Sequence, residues 1–421
     1  MKKPEDVLRV GGVGTGRIFQ WAHMRVFPHL LSKARLVGFF DKAPARAEEA
    51  RDKYAGMLEE YAADNPEAAA AVKANLAELR CHDSLGTLLD QVDIIDVCTT
   101  PRAKMPAVMA ALEAGVHSMV EKPMARTWIE ADRAARAFAA APDVYCQLND
   151  DNVFEPKYRI LHDLLQEGAV GRVQTMSLIR GCRTDATSIL KSQADPIENG
   201  GGCLMDYGSH GLAGAWYALG THLTPTRVEA VRITVRFPDR TLEGDPFRLQ
   251  VDDDAHVKVL FEDPDTGAWA TIFLEATWSG GEIGLDEEKG GGQAAGYLRI
   301  EGDEGFIDAS AKDRIAIRRW DGDETAVPVE ERPPESSSFS DEIETCIDAV
   351  RAGTPPEIDV HFGAEIIAII GAAYLSAIRG RAVTIDEFKE FSREYVARHG
   401  DNERAEEAII ADLLAPYRGE A

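Results

Sequence analysis

The sequence predicts an α/β protein: a parallel sheet covered by helices on both faces, followed by a second domain on a largely antiparallel sheet. Three observations predict it. Short apolar runs alternate with helical stretches through the first 150 residues, the signature of strand–helix–strand units. From about residue 171 the pattern changes to strand–turn–strand. The first apolar run ends in glycines at the mouth of a helical stretch, where an α/β sheet binds its ligand.

The elements follow in order. "VLRVGGVG" (7–14) reads as a buried strand and "RIFQWAHMRVFPHL" (17–30) has helical spacing. "ARLVGFFD" (34–41) is a second strand closed by Asp41. The Ala- and Glu-rich stretch 43–80 is helical by composition and breaks at "DNPE" into two helices. "VDIIDVCTTP" (92–101) is a third strand; "AKMPAVMAALEAG" is a helix stopped by Gly115. "VHSMVEKP" is a fourth strand, "TWIEADRAARAFAAA" a helix and "VYCQLND" (144–150) a further strand. Beyond 171, five strand stretches are separated by "DPDTG", "GDEG" and "DGDE" turn signals. The segment 280–296 reads as a loop interrupting that sheet, and three helical stretches close the chain. The expected division is 1–148 and 149–421.

Bulk properties narrow the function. The 421 residues are 45% hydrophobic and 28% charged, ample for a sizeable core. The formal net charge of −26 argues against nucleic acid and anionic membranes, whose phosphates require basic patches. No apolar run long enough for a membrane span stands out, and "MKKPEDVLRVGG" lacks an apolar signal core. The six cysteines are scattered, without CxxC or zinc-finger spacing. A cytoplasmic protein with free thiols and no metal is the expectation.

Two stretches carry chemistry. In "GVGTGRI", Gly14 and Gly16 bracket Thr15 between strand and helix, where backbone amides accept a pyrophosphate and a Cβ would obstruct it. Phe19 stands where a third small residue is usual. Asp41 is placed to bind ribose hydroxyls and to repel a 2′-phosphate, favouring NAD over NADP, although Lys42 and Arg46 stand nearby. Lys122 in "EKP" closes the fourth strand and so points to the reaction region. In "GGGCLMDYGSHG" (200–211), Asp206 and His210 lie four apart, on one face of a helix.

These motifs occur in one order with "CTTP" (98–101), "ALEAGVHSMVEKPMA" (111–125) and "AAYLSAIRGRAV" (372–383). Over about residues 7–385 the chain resembles the Gfo/Idh/MocA family of oxidoreductases, named for glucose-fructose oxidoreductase and inositol dehydrogenase. The resemblance implies an N-terminal Rossmann domain and a C-terminal α/β domain with an open, mostly antiparallel sheet. It implies bound NAD(P), hydride transfer at a sugar or cyclitol carbon, and a homodimer or homotetramer. Carried over, the catalytic residues are Lys122, Asp206 and His210. The cofactor contacts are Gly14, Thr15, Gly16, Arg17, Ile18 and Asp41 at one end, and Thr99, Thr100, Pro101, Glu121 and Lys122 toward the nicotinamide. "DDNVFEP" (150–156) points to Asn152 as a substrate contact. Arg180, Lys191 and Tyr207 join Lys122, Asp206 and His210 as substrate candidates, and Arg183 follows the same strand as Arg180. Trp278 fits a sugar-stacking, core or oligomer role. Two departures stand out: Met105 replaces a histidine usual after the Thr-Pro pair, and a helical insertion spans 54–80.

The chemistry follows from the residue types. Oxidising a secondary alcohol removes a hydroxyl proton as hydride leaves carbon, and histidine is a base tuned near neutral pH. Asp206 would orient His210, and Lys122 would steady negative charge on the reacting oxygen. The glycine run would let its loop fold closely over cofactor or substrate. Two alternatives share these residues: a redox-neutral glycosidase working through transient sugar oxidation, and a non-catalytic NAD-binding protein.

Overall fold

The computed structural model describes residues 7–181, 189–279, 297–330, 332 and 336–418. Arg183 and the 280–296 segment lie outside the described residues. The chain divides into two compact units, and the division differs from a single boundary at 148/149. The first comprises 1–124, 131–151 and 332–363; the second comprises 125–130, 152–331 and 364–421.

In the first unit the strands are β1 (Leu8–Val13), β2 (Ala34–Phe40), β3 (Arg80–Cys81), β4 (Ile94–Val97), β5 (His117–Glu121) and β6 (Cys146–Asn149). All pair in parallel, in the order β3-β2-β1-β4-β5-β6. This is the doubly wound Rossmann order, whose reversal between β1 and β4 opens a ligand crevice at the strands' carboxyl ends. The helices are α1 (Pro44–Asp64), α2 (Ala69–Glu78), α3 (Leu85–Leu89), α4 (Pro101–Glu113) and α5 (Trp128–Ala139). The break between α1 and α2 falls at Asn65 and a short 3-10 turn, as the "DNPE" signal predicts.

The expected helix over 17–30 is not continuous. A π-helical turn runs Phe19–His23 and a 3-10 turn Phe27–Leu30. Phe19 supplies the reason. Its buried ring lies over Gly12, where an added Cβ would come within 2.3 Å of it. The third small residue of the usual fingerprint is thus exchanged for a small residue in the strand, and the wide π turn fits the ring.

The second unit takes 125–130, with the first residues of α5, and then the α6 (Asp151–Phe154) residues after Asp151. Helices α7 (Pro156–Gln166), α8 (Pro196–Asn199) and α9 (Ser209–Leu219) follow. Its strands are β7 (Val173–Gly181), β8 (Thr224–Thr234), β9 (Asp239–Leu242), β10 (Asp245–Arg248), β11 (Asp254–Glu262), β12 (Trp269–Thr277), β13 (Leu298–Gly302), β14 (Gly305–Asp308), β15 (Arg314–Arg319), β16 (Glu324–Pro328) and β17 (Val383–Thr384). Nine form a sheet in the order β16-β15-β14-β13-β7-β12-β11-β8-β17, while β9 and β10 make a separate hairpin. Among the described residues only β7 and β12 pair in parallel, so the sheet is mixed but mostly antiparallel.

Helix α10 (Ser338–Ala352) returns to the first unit. Its Ile343, Cys346 and Ile347 sit in one buried cluster with Leu8, Phe27, Ala34 and Ile94. The chain ends in α11 (Val360–Arg379), α12 (Ile385–His399) and α13 (Glu403–Leu414). Helix α11 has the length and mean hydropathy, 1.6, of a membrane span, a feature the sequence reading passed over. Within the structure 72% of that span is buried, as in a core helix.

Candidate functional site

The candidate groups fall in both units: the nucleotide loop, "CTTP" and Lys122 in the first, Asp206 and His210 in the second.

In the first unit, β1 ends at Val13 and Gly14 turns the chain with φ +79°. An L side chain there is strained and would also lie 2.8 Å from the Thr99 backbone nitrogen. Gly14 N–H donates to Phe40 O, and Thr15 N–H donates to the Asp41 carboxylate at 3.0 Å. The fold therefore joins three predicted stretches: the glycine loop, Asp41 and Thr99. Asp41 is 6% exposed, accepts a second bond from Ala43 N–H and has Arg46 at 3.4 Å. Two features fit a dinucleotide phosphate. Among the described residues, no atom beyond its chain neighbours lies within 4 Å of a Cβ built on Gly16, and the buried Thr15 hydroxyl has no hydrogen-bond partner. Arg17 and Ile18 follow, exposed and half-buried. Thr99 and Thr100 are half-buried before Pro101, which opens α4.

Lys122 follows β5; its N–H donates to Asn149 O, and its bond to Pro123 is cis. The buried ammonium of Lys104 donates to the carbonyls of Lys122 (2.8 Å) and Pro123 (2.9 Å). Sequence reasoning missed Lys104; its signal was a charged residue on the inward face of α4, beside the noted Met105. The Glu121 carboxylate lies 3.4 Å from His23 Nε2, so this expected cofactor contact faces the interior of its own unit.

In the second unit, a π-helical turn (Leu204–Gly208) carries Asp206 and Tyr207, and His210 stands in the first turn of α9. The predicted helix start is thus wider than an α turn. Asp206 is 8% exposed and accepts a 3.1 Å bond from the Trp278 indole N–H. Trp278 is fully buried, which removes it as a sugar-stacking surface and makes it a partner of Asp206.

The glycine run is also corrected. Gly202 is required because a Cβ would lie 1.9 Å from Asp252 O, and one on Gly201 would lie 2.4 Å from the Tyr374 hydroxyl. These glycines press against their own unit. Asp252, unremarked in the sequence, accepts from Gly202 N–H, Leu204 N–H and, at 2.6 Å, the Tyr374 hydroxyl. The Cys203 thiol donates to the same carboxylate, and burial raises its pKa, so it is not a reactive thiolate.

The remaining candidates are dispersed. Asn152 is buried in α6. Arg180, on β7, lies over the Tyr158 ring and 3.7 Å from Glu155. Lys191 is held by Asp245 of the β9–β10 hairpin, and its backbone N–H by Glu243.

Strand order, glycine loop and the carboxylate after β2 place the first unit in the dinucleotide-binding class of α/β proteins. The chain belongs to the Gfo/Idh/MocA family: residues 8–149 match its oxidoreductase domain with NAD-binding Rossmann fold, and residues 158–308 match its C-terminal domain. A levoglucosan dehydrogenase of Pseudarthrobacter phenanthrenivorans is 25% identical over 229 residues, 51% of this chain and 53% of that protein. The chain thus spans about half the length of that curated relative. An oxidoreductase domain protein from Kribbella flavida superposes with a TM-score of 0.72 at 21% identity, over 90% of this chain and 99% of that one. A levoglucosan dehydrogenase in complex with NADH superposes with a TM-score of 0.71 at 18% identity, over 90% and 99%.

Proposed function

We propose that the protein is a dehydrogenase that uses NAD, in preference to NADP, to oxidise a secondary hydroxyl of a sugar, glycoside or cyclitol. The observation that carries the reading is the loop Gly14–Gly16 pinned to Asp41: an open glycine edge beside a carboxylate fixed by two backbone N–H groups. Gly14, Thr15 and Gly16 would hold the pyrophosphate, and Asp41 the adenosine ribose; Thr99, Thr100 and Pro101 would lie toward the nicotinamide. NAD, when bound, accepts hydride. His210 takes the hydroxyl proton, and Asp206, held by Trp278, orients it or shares the proton path. Lys122, its backbone fixed by Lys104, donates a hydrogen bond to the reacting oxygen as negative charge grows there. Asn152, Arg180 and Tyr207 are assigned to the remaining hydroxyls. The levoglucosan dehydrogenase relative supports a carbohydrate substrate.

A homodimer or homotetramer belongs to the same proposal. Trp269 and Phe273, 51% and 40% exposed on one face of β12, stand opposite Glu262 and Lys258 of β11, a mixed apolar and charged surface that supports pairing of sheets. A cytoplasmic setting is supported by the free thiols of Cys81, Cys98, Cys146, Cys203 and Cys346.

Purified protein with NAD is tested against a panel of sugars, glycosides and inositols, following reduced-nicotinamide absorbance. A rise with one class, lost in Lys122→Ala and His210→Ala while NAD still binds, is the expected result. Aglycone release without a rise would replace it with a redox-neutral glycosidase. NAD binding without product would leave a binding protein.

A further inference from the structure

The first unit encloses a polar cluster that the proposed reaction does not use. His23 on the π turn, Asp96 on β4 and Glu342 on α10 are fully buried, and Glu121 at the end of β5 nearly so. His23 Nδ1 lies 3.0 and 2.9 Å from the two Asp96 oxygens, so Nδ1 carries a hydrogen and donates it. Nε2 points the other way, 3.4 Å from Glu121 Oε1 and 3.7 Å from Glu342 Oε1. Both separations exceed an N–H···O hydrogen bond, about 2.7–3.2 Å. Neither Nε2 nor either Glu342 oxygen has a hydrogen-bond partner among the described residues. With a neutral ring, the Nε2 lone pair faces two buried carboxylates, and the three repel each other unless a positive centre lies among them.

The spacing fits a metal ion. Zinc bonds of 2.0–2.2 Å in tetrahedral geometry separate N and O donors by roughly 3.3–3.6 Å, close to the observed 3.4 and 3.7 Å. One ligand atom from each of the three residues falls within 4.8 Å of the others. A carboxylate on the far nitrogen of the ring is the arrangement that fixes the tautomer of a metal-ligating histidine, and Asp96 provides it. We propose that His23 Nε2, Glu121 and Glu342 form a buried site for a divalent transition metal of the zinc class, with Asp96 positioning the imidazole. With Asp96 counted in both cases, a divalent ion and a neutral ring leave the three carboxylates one negative charge in excess, whereas one imidazolium leaves two. The Cys98 thiol lies 3.5 Å from His23 Nδ1 and from Asp96, on the opposite side of the ring, and is outside the ligand set. The ion would tie α10, from late in the chain, to the π turn and β5.

The competing occupant is a proton. Despite burial, Asp96 holds the His23 pKa well above the ordinary imidazole value, and burial pushes that of Glu342 well up. Elemental analysis and X-ray absorption of the full chain, refolded with zinc and then desalted, separate the two. About one zinc per chain with nitrogen and oxygen ligands alone is expected, along with a zinc-dependent rise in melting temperature. The near-isosteric Glu342→Gln should lose at least ten-fold in zinc affinity and that rise, while keeping its circular dichroism. Folded wild type without zinc, a sulfur ligand in the absorption spectrum, or equal zinc in folded Glu342→Gln would each overturn the site. Should Glu342→Gln fail to fold, the wild-type stoichiometry and ligand spectrum decide alone.

Discussion

At the scale of single residues, the side chains that prepare the site are as informative as those assigned to chemistry. The Trp278 indole donates to Asp206 in a setting nearly closed to water. Trp278→Phe keeps an aromatic ring, smaller than the indole, and deletes the donor. A hydrogen bond to a charged group is worth about 1.5–3 kcal/mol, so kcat/KM should fall roughly 10- to 100-fold in steady-state kinetics while NAD binding is unchanged. Lys104 serves two carbonyls at once. Lys104→Met leaves both buried acceptors without their donor and should lower stability by about 2–4 kcal/mol in urea unfolding. A loss below half of the lower figure would mean that water or another donor replaces the ammonium. Neither residue was legible in the sequence: Trp278 fitted three roles, and Lys104 reads as surface until α4 turns it inward. Asp41, Thr15 and Gly14 were legible, because a tight turn at a strand end demands glycine and its neighbours follow from chain geometry.

At the scale of elements, exchanges between neighbours explain where pattern reading failed. The helix expected over 17–30 became a π turn and a 3-10 turn because Phe19 fills the room above Gly12. Gly12→Ala should therefore cost about 1–3 kcal/mol in denaturant unfolding, and Gly12→Ala combined with Phe19→Ala should cost less than the two changes summed. Additive losses would show that the two sites do not meet. Strands β3, β9, β10 and β17 went unread because each has only two to four residues, too few to show a period. A second exchange links α5 and α13. Arg126 pairs with Glu130 at 2.7 Å and with Glu406 at 2.8 Å, all three buried. One guanidinium cannot fully compensate two buried acids. Burial, with Glu406 adding to it against the pull of Arg126, raises the Glu130 pKa to about 7. The folded state therefore holds this proton more tightly than the unfolded chain does. Its contribution to stability is complete below the ordinary carboxyl range and is lost as pH rises through about 7. Melting temperature should decline over that window, and Glu406→Gln should flatten the decline; an unchanged slope would remove Glu406 as the cause.

At the scale of the whole molecule, the two-part architecture was readable from the change of period near residue 171, but the path of the chain between the parts was not. The first unit takes α10 from 332–363, and the second takes 125–130 from within the first 150 residues. Hydrophobic pattern reports which face of a helix is buried, not which sheet receives it, so Ile343, Cys346 and Ile347 gave no sign of their destination. A fragment of residues 1–151 should expose the apolar ground that α10 covers and bind a hydrophobic dye. The same fragment joined by a flexible linker to 332–363 should lose that binding and melt cooperatively. Equal behaviour of the two fragments would show that α10 is dispensable to the first unit.

That route has a consequence for how the molecule is made. A ribosome delivers the six parallel strands early, yet the helix that closes over them emerges only after the whole 152–331 segment has been translated. The nascent chain thus carries an unsealed nucleotide-binding half through much of its own synthesis. Its maturation becomes a late event, timed by elongation and open to chaperones until Ala352 has cleared the exit tunnel.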